Sequence, residues 1–65
     1  MPLITVDGPR LAEVERKRQL VEKLTQAAVE VYGLPKEAII VLIRENAPEN
    51  VGVAGQLIAD RHREA

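Results

Sequence analysis

Three hydrophobic patterns follow one another along the chain. Leu3-Ile4-Thr5-Val6 is short and rich in β-branched residues, which predicts a strand. Asp7-Gly8-Pro9 then reads as turn chemistry that ends it. From about Leu11 to Tyr32 the period changes. Val14, Val21, Leu24, Ala28 and Val31 recur at helical spacings, with Leu20 and Ala27 widening the stripe. Ile39-Ile40-Val41-Leu42-Ile43 is a continuous aliphatic run, the pattern of a strand covered on both faces.

The polar residues punctuate these elements. Glu13 and Glu15 lead the helix, with Arg16, Lys17 and Arg18 behind them, and Glu13–Lys17 and Glu22–Gln26 are expected as pairs on its surface. Gly33 predicts its end, and Leu34-Pro35 blocks continuation. Pro35 to Ala38 fits a single helical turn with Pro35 at its first position. Asn46 to Asn50 is a polar loop, and Val51-Gly52-Val53-Ala54-Gly55 suits a tight hairpin. The tail from Gln56 to Ala65 is mixed and predicts no element.

Strand, long helix and strand make a β-α-β unit with parallel strands. The expected fold class is therefore α/β (α+β), a single β-α-β protomer with a C-terminal hairpin, as one domain over residues 1–65. This unit has a physical difficulty. One helix covers one face of a sheet, a two-stranded sheet is not stable alone, and the second face is as apolar as the first. Another copy of the chain is expected to cover it.

Composition sharpens that expectation. A chain of 65 residues buries little of its surface, and small domains compensate with disulfides, metals or oligomerisation. There is no Cys, and the single His62 cannot build a zinc site. With no Phe and no Trp, the core is aliphatic. A net charge of −1 gives a poor footprint for nucleic acid. No apolar run approaches the roughly 20 residues of a membrane span. The cytoplasm is the expected compartment.

Few residues offer chemistry. Pro2 is the first. A small side chain after the initiator favours removal of Met1, and a terminal proline is a free secondary amine in a rigid ring. A reference α-amino group titrates at about 7.7–8.0, and desolvation lowers that value toward the range of a useful general base. The plain alternative is a second residue with no role. Arg10, just past the first strand, reads either as a solvated loop residue or as a site cation. Arg44 reads as a surface ion-pair partner with Glu45 beside it, Tyr32 as packed at the helix end, and His62 as an exposed tail residue. Arg16-Lys17-Arg18, with no aromatic and three glutamates around it, is a solvated helix face. Gly52 and Gly55 are turn residues.

Met1-Pro2, the spacer to the second strand and Val51-Gly52-Val53-Ala54-Gly55, in this order within 65 residues, resemble one family. It is the short-chain 4-oxalocrotonate (2-hydroxymuconate) tautomerases, and the likeness covers nearly the whole chain. The resemblance implies a tautomerase-type β-α-β protomer assembled as a hexamer, a trimer of dimers. It implies an isomerase of aromatic-compound degradation that moves a proton within an enol or dienol acid to give the conjugated keto acid. Pro2 is then the base, cationic side chains bind the carboxylate, and no cofactor or metal is needed.

The chain departs from the family pattern in three places. Arg10 matches the family's arginine after the first strand only across a shorter loop. The position of a second arginine, early in the second strand, is Ile40, and the aromatic before the hairpin glycine is Val51. Arg44, on the same strand face as Ile40, or Arg61 or Arg63 in the tail is a candidate to substitute. The pattern is similar to a divergent archaeal-type branch. Two functions follow as expectations: a keto–enol isomerase using Pro2, or a non-catalytic small oligomer that keeps the fold as a binding or scaffold module.

Overall fold

The computed structural model describes residues 1–61. Strands β1 (Leu3–Gly8) and β2 (Ile40–Glu45) pair in parallel, in register from Leu3 opposite Ile40 to Gly8 opposite Glu45. Both strands run two residues further than the aliphatic runs suggest. The Asp7-Gly8 pair does not turn, because Arg44 and Glu45 continue the ladder beside it. Asn46 N–H then closes the sheet by donating to Gly8 O at 2.8 Å.

Helix α1 (Val14–Tyr32) joins the strands. It starts three residues later than its apolar stripe predicts. Gly33 ends it as expected, in the left-handed conformation at φ 70°, with its N–H bonded to Val29 O at 2.9 Å. A single 3₁₀ turn at Lys36–Ala38 follows, with Pro35 one residue outside it rather than at its first position.

The 19 residues of α1 span about 28 Å, whereas six-residue strands span about 20 Å. The helix therefore overhangs the sheet at both ends. This explains why Val14 is exposed and Val31 is 84% exposed, although both fall on the predicted stripe. Ala27 also points to solvent. Tyr32, expected to pack at the helix end, is exposed for the same reason as Val31. The inner face that remains is Leu20, Val21, Leu24, Ala28 and Val29. It meets the half-buried alternate positions Ile4, Val6, Val41 and Ile43 of the sheet.

The other sheet face is open. Ile40 is 46% and Leu42 43% exposed, so β2 is not covered on both faces within one chain. Among the described residues only Ala28, at 6%, is a buried hydrophobic. The chain exposes 5368 Å², against about 4,100 Å² for a compact protein of its mass. Its radius of gyration is 15.5 Å, against about 11 Å for a compact chain of this length. A single copy is not a finished globule.

After β2, a 3₁₀ turn at Pro48–Asn50 leads into the predicted hairpin. Strands β3 (Gly52–Val53) and β4 (Gln56–Leu57) pair antiparallel around Ala54 and Gly55. Both turn residues have positive φ, 54° and 81°, as a two-residue hairpin matched to strand twist requires. A short helix α2 (Ile58–Arg61), which the tail's composition does not announce, packs on the Pro48–Asn50 turn.

Candidate functional site

The parallel register sorts the candidate residues to two ends of one sheet. At the amino-terminal end, Pro2 immediately precedes β1 and is half-buried. Its carbonyl oxygen accepts from Ile40 N–H at 3.1 Å, which fixes the ring relative to the start of β2. Leu3 and Ile40 are register partners and both are exposed, as is Met1. Pro2 thus sits among aliphatic side chains with no cation beside it in sequence or register.

At the carboxyl end stand Arg10 and Arg44. Arg44 is exposed and lies opposite Asp7 in the ladder, on the same face as Ile40 and Leu42. The expected ion pair between Arg44 and its neighbour Glu45 does not form. Successive strand residues point to opposite faces, and Glu45 is turned to the helix side. There its Oε1 accepts from Lys17 Nζ at 3.1 Å, and its Oε2 accepts from Leu11 N–H at 2.8 Å. Those bonds, led by the Leu11 N–H and followed by Lys17, hold the Glu45 carboxyl below its ordinary value, with a smaller Coulomb contribution from Arg10. Lys17 is consequently not paired with Glu13, as its spacing suggests. Glu13 meets Arg16 at 3.9 Å instead, and Glu15 meets Arg18 at 3.3 Å. These last two are exposed pairs of small energetic weight.

Arg10 lies between two fixed points. Gly8 O is bonded to Asn46 N–H, Pro9 has a ring-locked φ, and Leu11 N–H is bonded to Glu45. The six residue steps from Pro2 to Gly8 span about 20 Å in extended backbone. Pro2 and Arg10 of one chain therefore stand at opposite ends of β1 and do not form a common site.

Val51 belongs to neither end. It is half-buried in the C-terminal unit, where its N–H donates to Pro48 O at 3.4 Å and its carbonyl accepts from Ile58 N–H at 2.9 Å. Arg61 is exposed at the end of α2; Arg63 and His62 lie outside the described residues. An open groove of about 870 Å³ runs along the flank of α1, past Val14, Val21, Thr25 and Val29. None of Pro2, Arg10, Ile40, Arg44 or Val51 lines it. The residue that sequence reasoning passed over is Glu45. Its signal was faint: a lone acid closing an aliphatic strand, level with the start of the connection to α1.

No group of three or more His, Cys, Asp or Glu side chains capable of holding a metal occurs among the described residues. No helix among the described residues is long and apolar enough to cross a membrane.

A family model for tautomerase enzymes matches residues 2–61. A 2-hydroxymuconate tautomerase of Bacillus subtilis strain 168 is 40% identical over 60 residues, covering 92% of this chain and 97% of the relative. The crystal structure of DmpI from Archaeoglobus fulgidus shares 52% identity at a TM-score of 0.84, covering 91% of this chain and 100% of that one. A 4-oxalocrotonate tautomerase isozyme from Methylibium petroleiphilum matches at a TM-score of 0.90 and 33% identity, over 98% of this chain and 100% of that one. The β-α-β unit, the C-terminal hairpin and the match from Pro2 to Arg61 agree: the chain belongs to the tautomerase family of isomerases.

Proposed function

We propose that this chain catalyses keto–enol tautomerisation of enol or dienol acids of the 2-hydroxymuconate type, with the amine of Pro2 as general base after removal of Met1. The observation that carries this reading is the place of Pro2. The family match begins at that residue, its carbonyl is tied to Ile40 N–H at 3.1 Å, and Met1 before it is exposed to processing. The relative from Bacillus subtilis, named for 2-hydroxymuconate, supports the substrate class.

In the reaction the neutral amine accepts the hydroxyl proton of the enol. The O–H bond breaks, the oxygen becomes a carbonyl as the double bonds shift, and the ammonium returns the proton to a carbon of the conjugated system. A guanidinium holds the carboxylate and stabilises the charge that gathers on oxygen. Arg10 is the first candidate for that role. Because Pro2 and Arg10 of one chain are apart, the working site draws them from different copies in a homo-oligomer, a hexamer of three dimers. Ile40, in place of an arginine, makes the region around Pro2 aliphatic and favours an enol monoacid over a diacid. Val51 replaces an aromatic wall with a smaller one.

The test is an intact-mass measurement joined to kinetics. Loss of Met1 is expected, and the form that retains it, with its proline nitrogen tied up in an amide, is expected to lose about 10²–10⁴-fold in rate. Pro2→Ala leaves a primary amine and falls between the two. The rate rises with pH as the ammonium loses its proton, since only the neutral form accepts one. Undiminished turnover in the Met1-retaining form would remove Pro2 as the base. An assembled, Met1-free protein without turnover on any enol acid would favour the non-catalytic binding module.

A further inference from the structure

We propose that Glu45 is the positioning residue for Arg10: by gripping the β1–α1 connection from the end of β2, it holds the Arg10 guanidinium where a substrate carboxylate meets it. This rests on the reading of Arg10 as the carboxylate-binding cation.

The geometry is specific to this connection. Only five residues, Pro9 to Glu13, separate β1 from α1. Arg10 is their single cation and is exposed. A long exposed cation on a free loop samples many positions, and each costs entropy to freeze on binding. Here the backbone on both sides of Arg10 is tied down. On one side Gly8 O accepts from Asn46 N–H at 2.8 Å and Pro9 has a fixed φ. On the other, Leu11 N–H donates to Glu45 Oε2 at 2.8 Å. The Glu45 carboxylate is itself held by Lys17 Nζ from the second turn of α1, at 3.1 Å. Strand end, connection and helix start are thus joined at one side chain, 34 residues away in sequence from the N–H it captures. Among the described residues no ion pair within 4 Å engages Arg10, Glu45 included, which leaves the guanidinium to an anion.

A double-mutant cycle tests this on the assembled, Met1-free protein, with phenylenolpyruvate as the enol monoacid and oligomeric state checked by native mass spectrometry. Arg10→Ala is expected to lower kcat/KM about ten- to a hundredfold. Glu45→Gln keeps an acceptor oxygen but loses the charge that holds Lys17. It is expected to lower kcat/KM about three- to tenfold, almost entirely through KM. With Arg10 already replaced by Ala, the same change is expected to have less than about a twofold effect, because no guanidinium remains to be misplaced. Should Glu45→Gln fail to assemble, Lys17→Met releases the carboxylate more gently and is read through the same cycle, with a smaller KM effect confined to the Arg10 background. An equal loss in both backgrounds, or none in either, would overturn the positioning role while leaving Arg10 in place. No effect of Arg10→Ala on Pro2-dependent turnover would instead remove Arg10 as the carboxylate partner, and the role of Glu45 with it.

Discussion

The two ends of the β1–β2 sheet are built on opposite physical terms. Around Pro2 the side chains are Leu3 and Ile40, aliphatic and exposed, and a single backbone bond to Ile40 orders the segment. Around Gly8 and Glu45 the residues are charged, and the backbone is tied at Asn46–Gly8 and Glu45–Leu11 and braced by Lys17. An amine that works as a base gains from low polarity, since desolvation disfavours its cation. A guanidinium that reads a carboxylate gains from fixed geometry. One short sheet provides both environments by keeping them about 20 Å apart. Under the proposed function, that separation leaves a single copy with the parts of a site but not the site itself.

The most severe way to break this contrast is to keep the copies apart. Leu42→Asp places a charge on the open sheet face and is expected to abolish assembly, ordered secondary structure and turnover together, as followed by native mass spectrometry and circular dichroism. A wild-type monomer that stays folded at micromolar concentration would show that the open face needs no cover. A gentler change alters the polarity of the Pro2 end alone. The wild-type protein is expected to prefer phenylenolpyruvate to 2-hydroxymuconate in kcat/KM. Ile40→Arg supplies a second carboxylate partner and is expected to shift that ratio toward the diacid by about ten- to a hundredfold. A wild-type preference for the diacid would point to another cation near Pro2, and Arg44→Ala and Arg61→Ala would identify it.

The smallest effect concerns the charged end and acid. The Glu45 carboxyl is held below its ordinary value of 4.5 in the folded chain, chiefly by the Leu11 N–H and then by Lys17. Its folded value lies below its unfolded one, so its contribution to stability is fully present above about the ordinary carboxylate range. It is lost as pH falls through the lower folded value. Thermal unfolding followed across about pH 3–7, a window that brackets that range, is expected to show a shallower acid limb in Glu45→Gln than in wild type. Identical acid limbs would mean that the carboxylate is equally well solvated in both states.

The sequence carried the elements and their order, because apolar spacing along α1 and the aliphatic run of β2 are local signals. It also carried the hairpin within residues 51–55 and the stop at Gly33, though Gly52, expected as a turn residue, lies in β3 and it is Ala54 that turns with Gly55. What it missed converges on Glu45. The helix was expected from Leu11, but the Leu11 N–H goes to Glu45 and α1 begins at Val14. Lys17 was expected beside Glu13 and Arg44 beside Glu45, yet Lys17 and Glu45 choose each other. A contact between residues 28 positions apart leaves no trace in local periodicity. The parallel register would have revealed it, since it sets the end of β2 level with the start of the connection. The exposure of Val31 and Tyr32 was hidden for a different reason: a hydrophobic stripe shows which face is apolar, but not where the sheet beneath it stops.

Ala28 sets the thermodynamic character of this small chain. With one buried hydrophobic side chain among the described residues, a lone copy draws little stability from a core of its own. When folding is completed by association, mass action enters the equilibrium. The midpoint of a melting curve then moves with dilution, and a stability quoted for this protein has meaning only beside the protomer concentration at which it was measured.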